Sequence, residues 1–393
     1  MMTNRSAPPR LPRLLAGCEP TLTAHQQQLG KYPKVSATEL ISLLDAAGLS
    51  GRGGAGFPTG RKFAAVSGRK PVVVGNGAEG EPLSRKDTVL LTTAPHLVLD
   101  GLQLAANAVG ADKVYLYVPT HVVSAVNCAL KERREADRDR LKVTVVEAPN
   151  TFVAGEESAL VRRIEGGPAL PRDRTVITAK SGVRGRPTLV NNVETLAHIA
   201  LLARFGPAWF RSIGDPNNPG SMLVTLSGAT VKQRVIEVPT GALVAGLLPH
   251  PAAVRAVLIG GYHGRWIPAS ALDGARVSGA GIVHALGLDE CGLARTAEIA
   301  DYLASQSARQ CGPCRTGLPR LAELLGKLAY ERPENTHVRE IRRLVGLVDG
   351  RGACRHPDGT ARMIRSALET FSADIEHHRH RSCQAADREV PAR

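Results

Sequence analysis

The chain has 393 residues, of which 43% are hydrophobic and 22% charged, and this composition excludes a largely disordered protein. The length predicts two or three domains, and the lack of any apolar stretch long enough to cross a bilayer argues against membrane insertion. The net charge of +14 is spread along the chain, which favours a solvated basic surface, or attraction of an anionic cofactor or acidic protein, over nucleic-acid binding.

Five regions are predicted along the chain. Because residues 1–13 lack the apolar core of a secretion signal, we expect a cytoplasmic protein. The predicted regions are a flexible lead at residues 1–35, an α/β domain at 36–215, a small α+β domain at 216–275, a helical domain at 290–375 and a disordered tail at 376–393.

The predicted elements alternate between helices and strands. The first helix is expected to begin at Ser36, which forms a capping-box pattern with Glu39, and to end at Gly48. Apolar runs in residues 71–148 alternate with helical segments, as in a sheet covered by helices. Further predicted elements are helices at 156–164 and 192–203, short strands within 222–268, and helices from residue 296 onward.

Residues 51–62 form a glycine-rich loop, with five glycines among the first ten residues and a lysine, Lys62, at the end. Because glycine has no Cβ, backbone N–H groups in such a loop can approach a phosphate or a ring system closely. The lysine adds a positive charge. A flexible turn explains this loop equally well when it is considered alone.

Three further clusters accompany the loop. Residues 74–82 follow a predicted strand, residues 154–160 place two acids at a helix start, and residues 187–195 place two asparagines before another helix. Each cluster has a structural explanation, since acids and asparagines at helix starts are common caps. These separate explanations do not account for the whole set in this order.

The set resembles the flavin subunit of bacterial NADH:quinone oxidoreductase, the 51 kDa-type subunit of respiratory complex I. It also resembles the related diaphorase subunits of hydrogenases and formate dehydrogenases. The resemblance covers about residues 48–374, and the glycine loop and residues 190–195 are its most specific parts. It implies a divergent α/β member with a Rossmann-like FMN-binding domain, a small ubiquitin-like α+β domain of the SLBB type, and a C-terminal helical bundle that carries an iron–sulfur site.

The resemblance also implies an enzyme of the NADH dehydrogenase type that uses FMN, NAD(H) and a [4Fe-4S] cluster. Glu157 is implied to be the catalytic residue near the nicotinamide. The electrons are expected to pass to a ferredoxin-like or [2Fe-2S] partner subunit, or to a quinone-linked one. If the chain associates with a membrane complex, we expect it to be a peripheral subunit. The residues assigned to cofactor binding are Gly53, Gly54, Gly56, Phe57, Lys62, Asn76, Glu79, Glu156, Asn191, Asn192 and Thr195.

The seven cysteines include one CxxC pair, Cys311 and Cys314, which in a reducing compartment favours a metal or redox site. The family pattern resembled here is CxxCxxC plus a distant fourth cysteine, but the first position is Ala308. Cys354 completes a set of three thiols. Imidazole can replace thiolate as an iron ligand, so His356 is the candidate for the fourth position. A zinc site with three cysteines and one histidine, an open iron site and a lost cluster remain alternatives.

Several positions depart from the family pattern. Phe57 is kept, but Ala65 and Ile177 stand where two other aromatic residues are expected, Arg174 replaces a lysine, and Ala78 replaces an aspartate. The loss of two stacking contacts is expected to weaken NAD binding about tenfold or more. We still expect NADH to be the electron donor.

Other functions remain open on the sequence alone. Electrons could flow in reverse, from a reduced ferredoxin through flavin to NAD. The chain could also be a degenerate subunit that does not use NADH and serves as a docking platform, or a structural subunit stabilised by zinc. A nucleic-acid binder is supported only by the net charge.

Overall fold

The structure, a computed structural model, describes residues 11–16, 19–173, 176–229 and 231–385. Arg174 and Cys18 lie outside the described residues. The helices are α1 (Leu22–Leu29), α2 (Ala37–Ala47), α3 (Thr59–Ala64), α4 (Lys86–Thr93), α5 (Pro95–Ala108), α6 (Val123–Glu135), α7 (Glu157–Ile164), α8 (Val193–Arg211), α9 (Gly292–Ser305), α10 (Leu318–Tyr330), α11 (Asn335–Val348), α12 (His356–Thr370) and α13 (Ser372–Arg379). The strands are β1 (Val72–Asn76), β2 (Lys113–Pro119), β3 (Val143–Ala148), β4 (Thr188–Asn192), β5 (Gly214–Asp215), β6 (Asn218–Pro219), β7 (Ser221–Gly228), β8 (Arg234–Pro239), β9 (Val254–Ile259), β10 (Arg265–Pro268) and β11 (Ile282–Gly287).

The first domain is built on a parallel sheet with the strand order β3-β2-β1-β4. The chain moves from β1 to β2 and β3 on one side and returns to place β4 on the other side of β1. The strand order therefore reverses between β1 and β4, which is where open parallel sheets bind ligands. The predicted α/β fold class is confirmed.

Local signals set the helix ends in this domain. The Ser36 hydroxyl accepts a hydrogen bond from the Glu39 backbone N–H at 3.2 Å, and Gly48 ends α2 in the left-handed conformation, as predicted. Asn192 caps α8 by accepting a hydrogen bond from the Glu194 backbone N–H at 3.0 Å. Helix α8 runs well beyond the predicted end at residue 203, with a break at Gly206.

Helices α5 and α8 pack along each other on one side of this sheet. Most residues of α5 are buried, and Gly101 lies directly against the backbone of Leu196 in α8. A side chain at position 101 would separate the helices. The glycine therefore permits the close approach of α5 and α8 that places β4 and its helix beside β1.

The second domain is a five-stranded sheet with the order β10-β9-β11-β7-β8. Strand β11 lies in the middle, antiparallel to β9 and parallel to β7. The predicted boundary at residue 275 is therefore wrong, because the sheet needs residues 282–287 to join its two halves. The apolar run Ile282-Val283-His284-Ala285-Leu286 is typical of such a buried strand.

The C-terminal helices form the predicted bundle. Leu303 of α9, Leu321 of α10, Ile341 of α11 and Ile364 of α12 are buried in one hydrophobic core. The same core includes Trp266 of β10, so the bundle packs directly on the second sheet.

The described parts of both chain ends differ from the predicted flexible lead and disordered tail. Near the N-terminus, the Arg13 guanidinium donates to the Trp209 carbonyl at 3.0 Å, and His25 of α1 contacts the buried Asp100 carboxylate at 2.9 Å. Near the C-terminus, α13 reaches Arg379 and His378 is buried. These segments are ordered because polar groups from distant elements hold them. Residues 1–10 and 386–393 lie outside the described part of the chain.

Asp100 is the centre of the N-terminal anchor. Burial opposes ionisation of this carboxyl, but the hydrogen bond from His25 and the guanidinium groups of Arg133 and Arg204 hold its pKa well below the ordinary value. The charged form is thus matched by several donors, which a buried carboxylate requires.

No single helix in the described part of the chain has both the length and the apolar character of a membrane span. Helices α4 and α5 meet that criterion only as a pair, which is bent by 96° at the break between them.

Gly101→Ala is expected to lower the free energy of unfolding by about 1–3 kcal/mol, because the new Cβ would overlap the Leu196 carbonyl oxygen. The matched control is Gly326→Ala in the interior of α10, where nothing lies within 4 Å of an added Cβ. This control is expected to be stabilising by about 0.5–1 kcal/mol. Urea unfolding measures both values, and a similar effect of the two substitutions would contradict the described α5–α8 contact.

Candidate functional site

The carboxyl ends of β1 and β4 lie side by side where the strand order reverses. Gly75 pairs with Asn191 and Asn76 with Asn192 in the parallel register. The Asn192 side-chain amide donates to the Asn76 backbone carbonyl at 3.3 Å. Two of the predicted clusters therefore meet at one edge of the sheet.

The glycine loop closes over this edge. The Arg52 backbone N–H donates to the Thr195 hydroxyl at 2.9 Å, and a Cβ on Gly53 would lie 3.3 Å from the Asn192 Cβ. Gly54 and Gly56 have positive φ angles, which other residues adopt only with strain. No atom lies within 4 Å of the position of a Cβ on Gly56, so this part of the loop borders open space.

The acidic turn joins the same assembly. The Asn76 side-chain amide donates to the Gly155 carbonyl at 2.9 Å, and Lys62 forms an ion pair with Glu157 at 2.9 Å. The side chains of Lys62 and Glu157 are 30% and 25% exposed, so this pair lies at the margin of the site. Contacts thus connect all four predicted segments: the glycine loop, the turn after β1, the acidic turn before α7 and the asparagines at the end of β4.

Several predicted cofactor residues use their polar groups to hold the backbone. The Glu79 carboxylate accepts hydrogen bonds from the Asp87 and Thr88 N–H groups, both at 3.0 Å, at the start of α4. Glu156 accepts from the Ser158 backbone N–H at 2.8 Å and caps α7. These side chains hold the loops at the carboxyl ends of β1 and β4.

Two buried polar groups in these segments have no hydrogen-bond partner. The Asn191 side-chain nitrogen is buried and has no hydrogen-bond partner, and the same holds for the hydroxyl of Thr59. Thr59 was not among the predicted residues, although it directly follows the Phe57-Pro58 pair of the glycine-rich segment. Phe57 is 53% exposed and Ile177 is 55% exposed, as expected for residues that lie outside the core.

A buried charge cluster supports the site from within. The Lys86 ammonium lies 2.7 Å from Asp87 and 2.9 Å from Glu194, and it donates to the Asn192 side-chain carbonyl at 3.3 Å. Burial alone would lower the pKa of Lys86, but the two carboxylates raise it above its ordinary value. Burial raises the pKa of Asp87 to about 6, against the opposing effect of Lys86.

Glu81 connects the turn after β1 to the second domain. Its carboxylate accepts hydrogen bonds from the Tyr262 N–H at 2.8 Å and the Leu83 N–H at 3.3 Å. Burial raises the pKa of Glu81 to about 7, and the two backbone donors only partly offset this effect. The sequence prediction did not single out this residue, because an acid in a loop gives no sign of burial.

Three cysteines of the C-terminal bundle lie together. Cys314 is buried in a π-helical turn, residues 313–317, with the Cys311 thiol beside it and the Cys354 thiol near enough to affect it electrostatically. Burial and the neighbouring Cys311 raise the pKa of the Cys314 thiol to about 12. A metal site needs thiolates, so a bound cation would have to lower this pKa.

The structure does not support His356 as the fourth ligand. Its Nε2 lies 2.8 Å from the Leu303 carbonyl oxygen and must therefore carry the proton. The remaining lone pair, on Nδ1, faces His263 Nε2 at 3.1 Å. Burial lowers the pKa of His356, which favours this neutral form. Both ring nitrogens are thus engaged away from a metal.

Ser307 is a polar residue at the cysteine site that the sequence prediction missed. Its hydroxyl oxygen is buried beside the Cys314 thiol and has no hydrogen-bond partner of normal geometry. It directly precedes Ala308, the position at which the expected cysteine is absent. Its position next to Ala308 was the feature of the sequence that could have identified Ser307 as a candidate ligand.

An open groove of about 430 Å³ lies elsewhere, between Tyr32, Gln103 and Arg138. None of the predicted cofactor residues lines it. The four predicted segments and the unpartnered side-chain nitrogen of Asn191 lie instead at the carboxyl ends of β1 and β4.

Comparisons with known proteins agree with this geometry. Residues 44–201 match the family model of the Nuo51 FMN-binding domain, and residues 294–378 match that of the NADH-ubiquinone oxidoreductase-F iron-sulfur binding region. The NADH-quinone oxidoreductase F subunit 2 of Rhizobium meliloti is 30% identical, over 92% of this chain and 93% of its own length. The chain belongs to the family of NADH-quinone oxidoreductase F subunits.

Hydrogenase subunits are also similar. The NADP-reducing hydrogenase subunit HndC of Solidesulfovibrio fructosivorans is 28% identical over 89% of this chain and 78% of its own length. A solved NAD+-reducing [NiFe]-hydrogenase in the H2-reduced state superposes with a TM-score of 0.82 at 28% identity. That match covers 87% of this chain, which spans 62% of the hydrogenase chain.

Family membership confirms the predicted class of protein and its cofactors. The chain is a flavin-containing, NADH-oxidising subunit with a [4Fe-4S] binding region, and it transfers electrons through FMN to the iron–sulfur centre. The proteins of this family that the chain matches are subunits of larger oxidoreductases. The roles of individual residues remain predictions.

Glu81→Gln is expected to change stability in a pH-dependent way. The folded-state pKa of about 7 exceeds the ordinary value of 4.5, so the protonated form favours folding and this stability is lost as the pH rises towards and through 7. Glutamine stays neutral. Relative to the native chain, the variant should therefore gain up to about 3 kcal/mol between pH 4 and pH 8. Urea unfolding at both pH values tests this, and a pH-independent difference would contradict it.

Proposed function

We propose that the crevice at the ends of β1 and β4 holds the FMN. The observation that carries this proposal is the buried Asn191 side-chain nitrogen, which has no partner. A buried donor left unpaired costs about 1–3 kcal/mol, so such atoms point to a missing ligand. The flavin ring system offers carbonyl and ring-nitrogen acceptors for it.

The glycine loop supports the same proposal. Gly53 allows close packing against Asn192. Gly54 and Gly56 have positive φ angles, and because they lack side chains a ligand can approach their backbone N–H groups. We propose that this loop covers the flavin and that Lys62 supplies positive charge to its phosphate. The hydroxyl of Thr59 is a further donor at the end of the loop.

The remaining predicted residues are proposed to position the site. Glu79 and Glu156 hold the starts of α4 and α7, and Thr195 holds the loop at Arg52. Asn76 and Asn192 connect the strand ends to the neighbouring turns. Such contacts fix a binding site before the cofactor arrives, which lowers the entropy lost on binding.

NADH is proposed to bind at the open margin of this crevice. Glu157 and Phe57 are both partly exposed there. The family resemblance places Glu157 near the nicotinamide, and it makes Phe57 an aromatic residue that can stack on a ring of NADH. The chemistry that the bound flavin supplies is the conversion of hydride transfer into single-electron transfer.

The iron–sulfur centre is proposed to be held by Cys311, Cys314 and Cys354, with the Ser307 hydroxyl at the fourth position. The three thiols lie near one another, and the buried hydroxyl lies beside the Cys314 thiol without a hydrogen-bond partner of normal geometry. An alkoxide is a harder ligand than a thiolate, so this set is expected to differ in reduction potential from four cysteines.

We propose that the electrons leave to a small ferredoxin-like or [2Fe-2S] partner subunit in the cytoplasm. The net charge of +14 would attract an acidic partner of this kind. A connection to a membrane complex would then be peripheral.

A weaker affinity for NADH than in relatives that keep the full family pattern is a second proposal. It is favoured by Ala65, Ala78 and Ile177, which replace two aromatic residues and an acid of the family pattern. The Ile177 side chain is largely exposed and cannot stack on a base as a ring would. Anaerobic titration with NADH tests this proposal, because a weaker site needs a higher NADH concentration to lose the flavin absorbance.

Asn191→Leu is expected to lower FMN affinity by about tenfold or more, because the donor to the flavin is lost. The stability of the flavin-free chain should not fall, since the buried side-chain nitrogen that has no partner is replaced by an apolar group of similar size. Asn127→Leu, on the exposed face of α6, is the control for both measurements. Fluorescence titration with FMN and urea unfolding provide the readouts. Unchanged FMN affinity in Asn191→Leu would refute the assignment.

Ser307→Ala is expected to leave about three irons per chain after anaerobic reconstitution, against about four in the native chain. Ser307→Cys should retain the full iron content with an altered electron paramagnetic resonance spectrum. The control is Ser305→Ala, at an exposed position two residues earlier. Iron and sulfide analysis measures these contents, and a full cluster in Ser307→Ala would show that the hydroxyl is not a ligand.

A further inference from the structure

A second group of metal-ligating side chains lies outside the proposed iron–sulfur site. Cys291 precedes α9, His378 lies on α13, and Cys383 follows that helix. Their potential ligand atoms all lie within 4.8 Å of one another. In the part of the chain that the structure describes, no other three histidine, cysteine or acidic residues come together in this way.

The orientation of the His378 ring leaves one nitrogen available as a metal ligand. Its Nδ1 lies 3.0 Å from the Leu328 carbonyl oxygen and must carry the proton, so the lone pair is on Nε2. That nitrogen lies 3.5 Å from the Cys291 sulfur. Metal-bound histidines usually donate their other N–H to a carbonyl or carboxylate, which fixes the ring in this way. His356 shows the opposite arrangement, with neither nitrogen left for a metal.

Cys291 is also held in a suitable environment. Its sulfur accepts a hydrogen bond from the Ala294 backbone N–H at 3.5 Å, at the start of the 14-residue helix α9. Burial raises the pKa of the Cys291 thiol against the opposing effect of these backbone donors, so a bound cation would have to lower it. Once the thiolate is formed, the Ala294 N–H would remain as its hydrogen-bond donor.

We propose that Cys291, His378 and Cys383 bind a zinc ion and fasten the C-terminal segment to the start of α9. Two thiolates and one imidazole are a ligand set that zinc prefers, with a solvent molecule to complete the tetrahedron. Cys383 is half-buried, so solvent can reach the site.

Charge balance supports a divalent ion at this position. Two thiolates neutralise the two positive charges of zinc, so the occupied site carries no net charge. The buried acid Asp374 is already paired with the Arg255 guanidinium and does not alter this balance. A neutral site is compatible with its partly buried surroundings, whereas an unpaired ion is not.

The site would add to contacts that already hold this segment. Arg255 donates to the Gln384 side-chain oxygen at 2.9 Å, and Arg332 donates to the Arg379 carbonyl at 3.2 Å. Zinc would thus connect three parts of the bundle: the start of α9, the end of α10 through Leu328, and the chain after α13.

Zinc analysis of the full-length chain, purified with its cofactors and incubated with zinc before desalting, tests the proposal. We expect about one zinc per chain in the native protein and at least a tenfold loss in retained zinc in Cys383→Ser and His378→Gln. Cys128→Ser removes an exposed thiol on α6 and should retain the zinc. Cys314→Ser, which weakens the proposed iron–sulfur site, should also retain it.

The outcomes that overturn the proposal are equally clear. They are a zinc-free native chain, retention of zinc in Cys383→Ser, loss of zinc in Cys314→Ser, or a Cys291–Cys383 disulfide found by peptide mapping without zinc. If His378→Gln does not fold, Cys383→Ser decides, because its residue lies on the segment after the last helix. Thermal unfolding with and without zinc gives a second readout, since zinc should raise the Tm of the native chain but not that of Cys383→Ser.

Discussion

The buried ammonium of Lys86 holds together the elements on which the site depends. It lies between Asp87 at the start of α4 and Glu194 at the start of α8, and it contacts Asn192 at the end of β4. Glu194 also accepts a hydrogen bond from the Leu223 backbone N–H at 2.8 Å, which connects this cluster to the second sheet. Removal of the ammonium would leave two buried carboxylates facing each other, and this is the circumstance in which breaking a buried ion pair is most destabilising.

The site that results is largely fixed before any cofactor binds. Most polar side chains that the family pattern places around FMN have backbone partners here, as Glu79, Glu156 and Thr195 illustrate. Asn191 and Thr59 differ, because their buried polar atoms have no partner. The contrast divides the residues into those that build the crevice and those with hydrogen-bonding capacity left for a ligand.

Local patterns in the sequence were sufficient to predict much of the fold. The Ser36 cap, the strand of three valines in β1 and the asparagine cap of α8 depend on neighbouring residues and were predicted correctly. The central position of β11 could not be predicted, because it depends on pairing with β7 and β9, which lie far away in the chain. The burial of Lys86 was also hidden, since a charged triplet such as Arg85-Lys86-Asp87 is typical of a solvated helix start. For His356, the decisive partners come from Leu303 and His263, in two other elements.

The most direct test of this account is a crystal structure of the chain purified with its FMN. We expect the flavin ring in the crevice between the carboxyl ends of β1 and β4, covered by the loop at Gly56 and within hydrogen-bonding distance of the Asn191 amide. Flavin bound at another place, or an Asn191 amide paired with a protein group while the crevice is filled by side chains, would contradict the central claim.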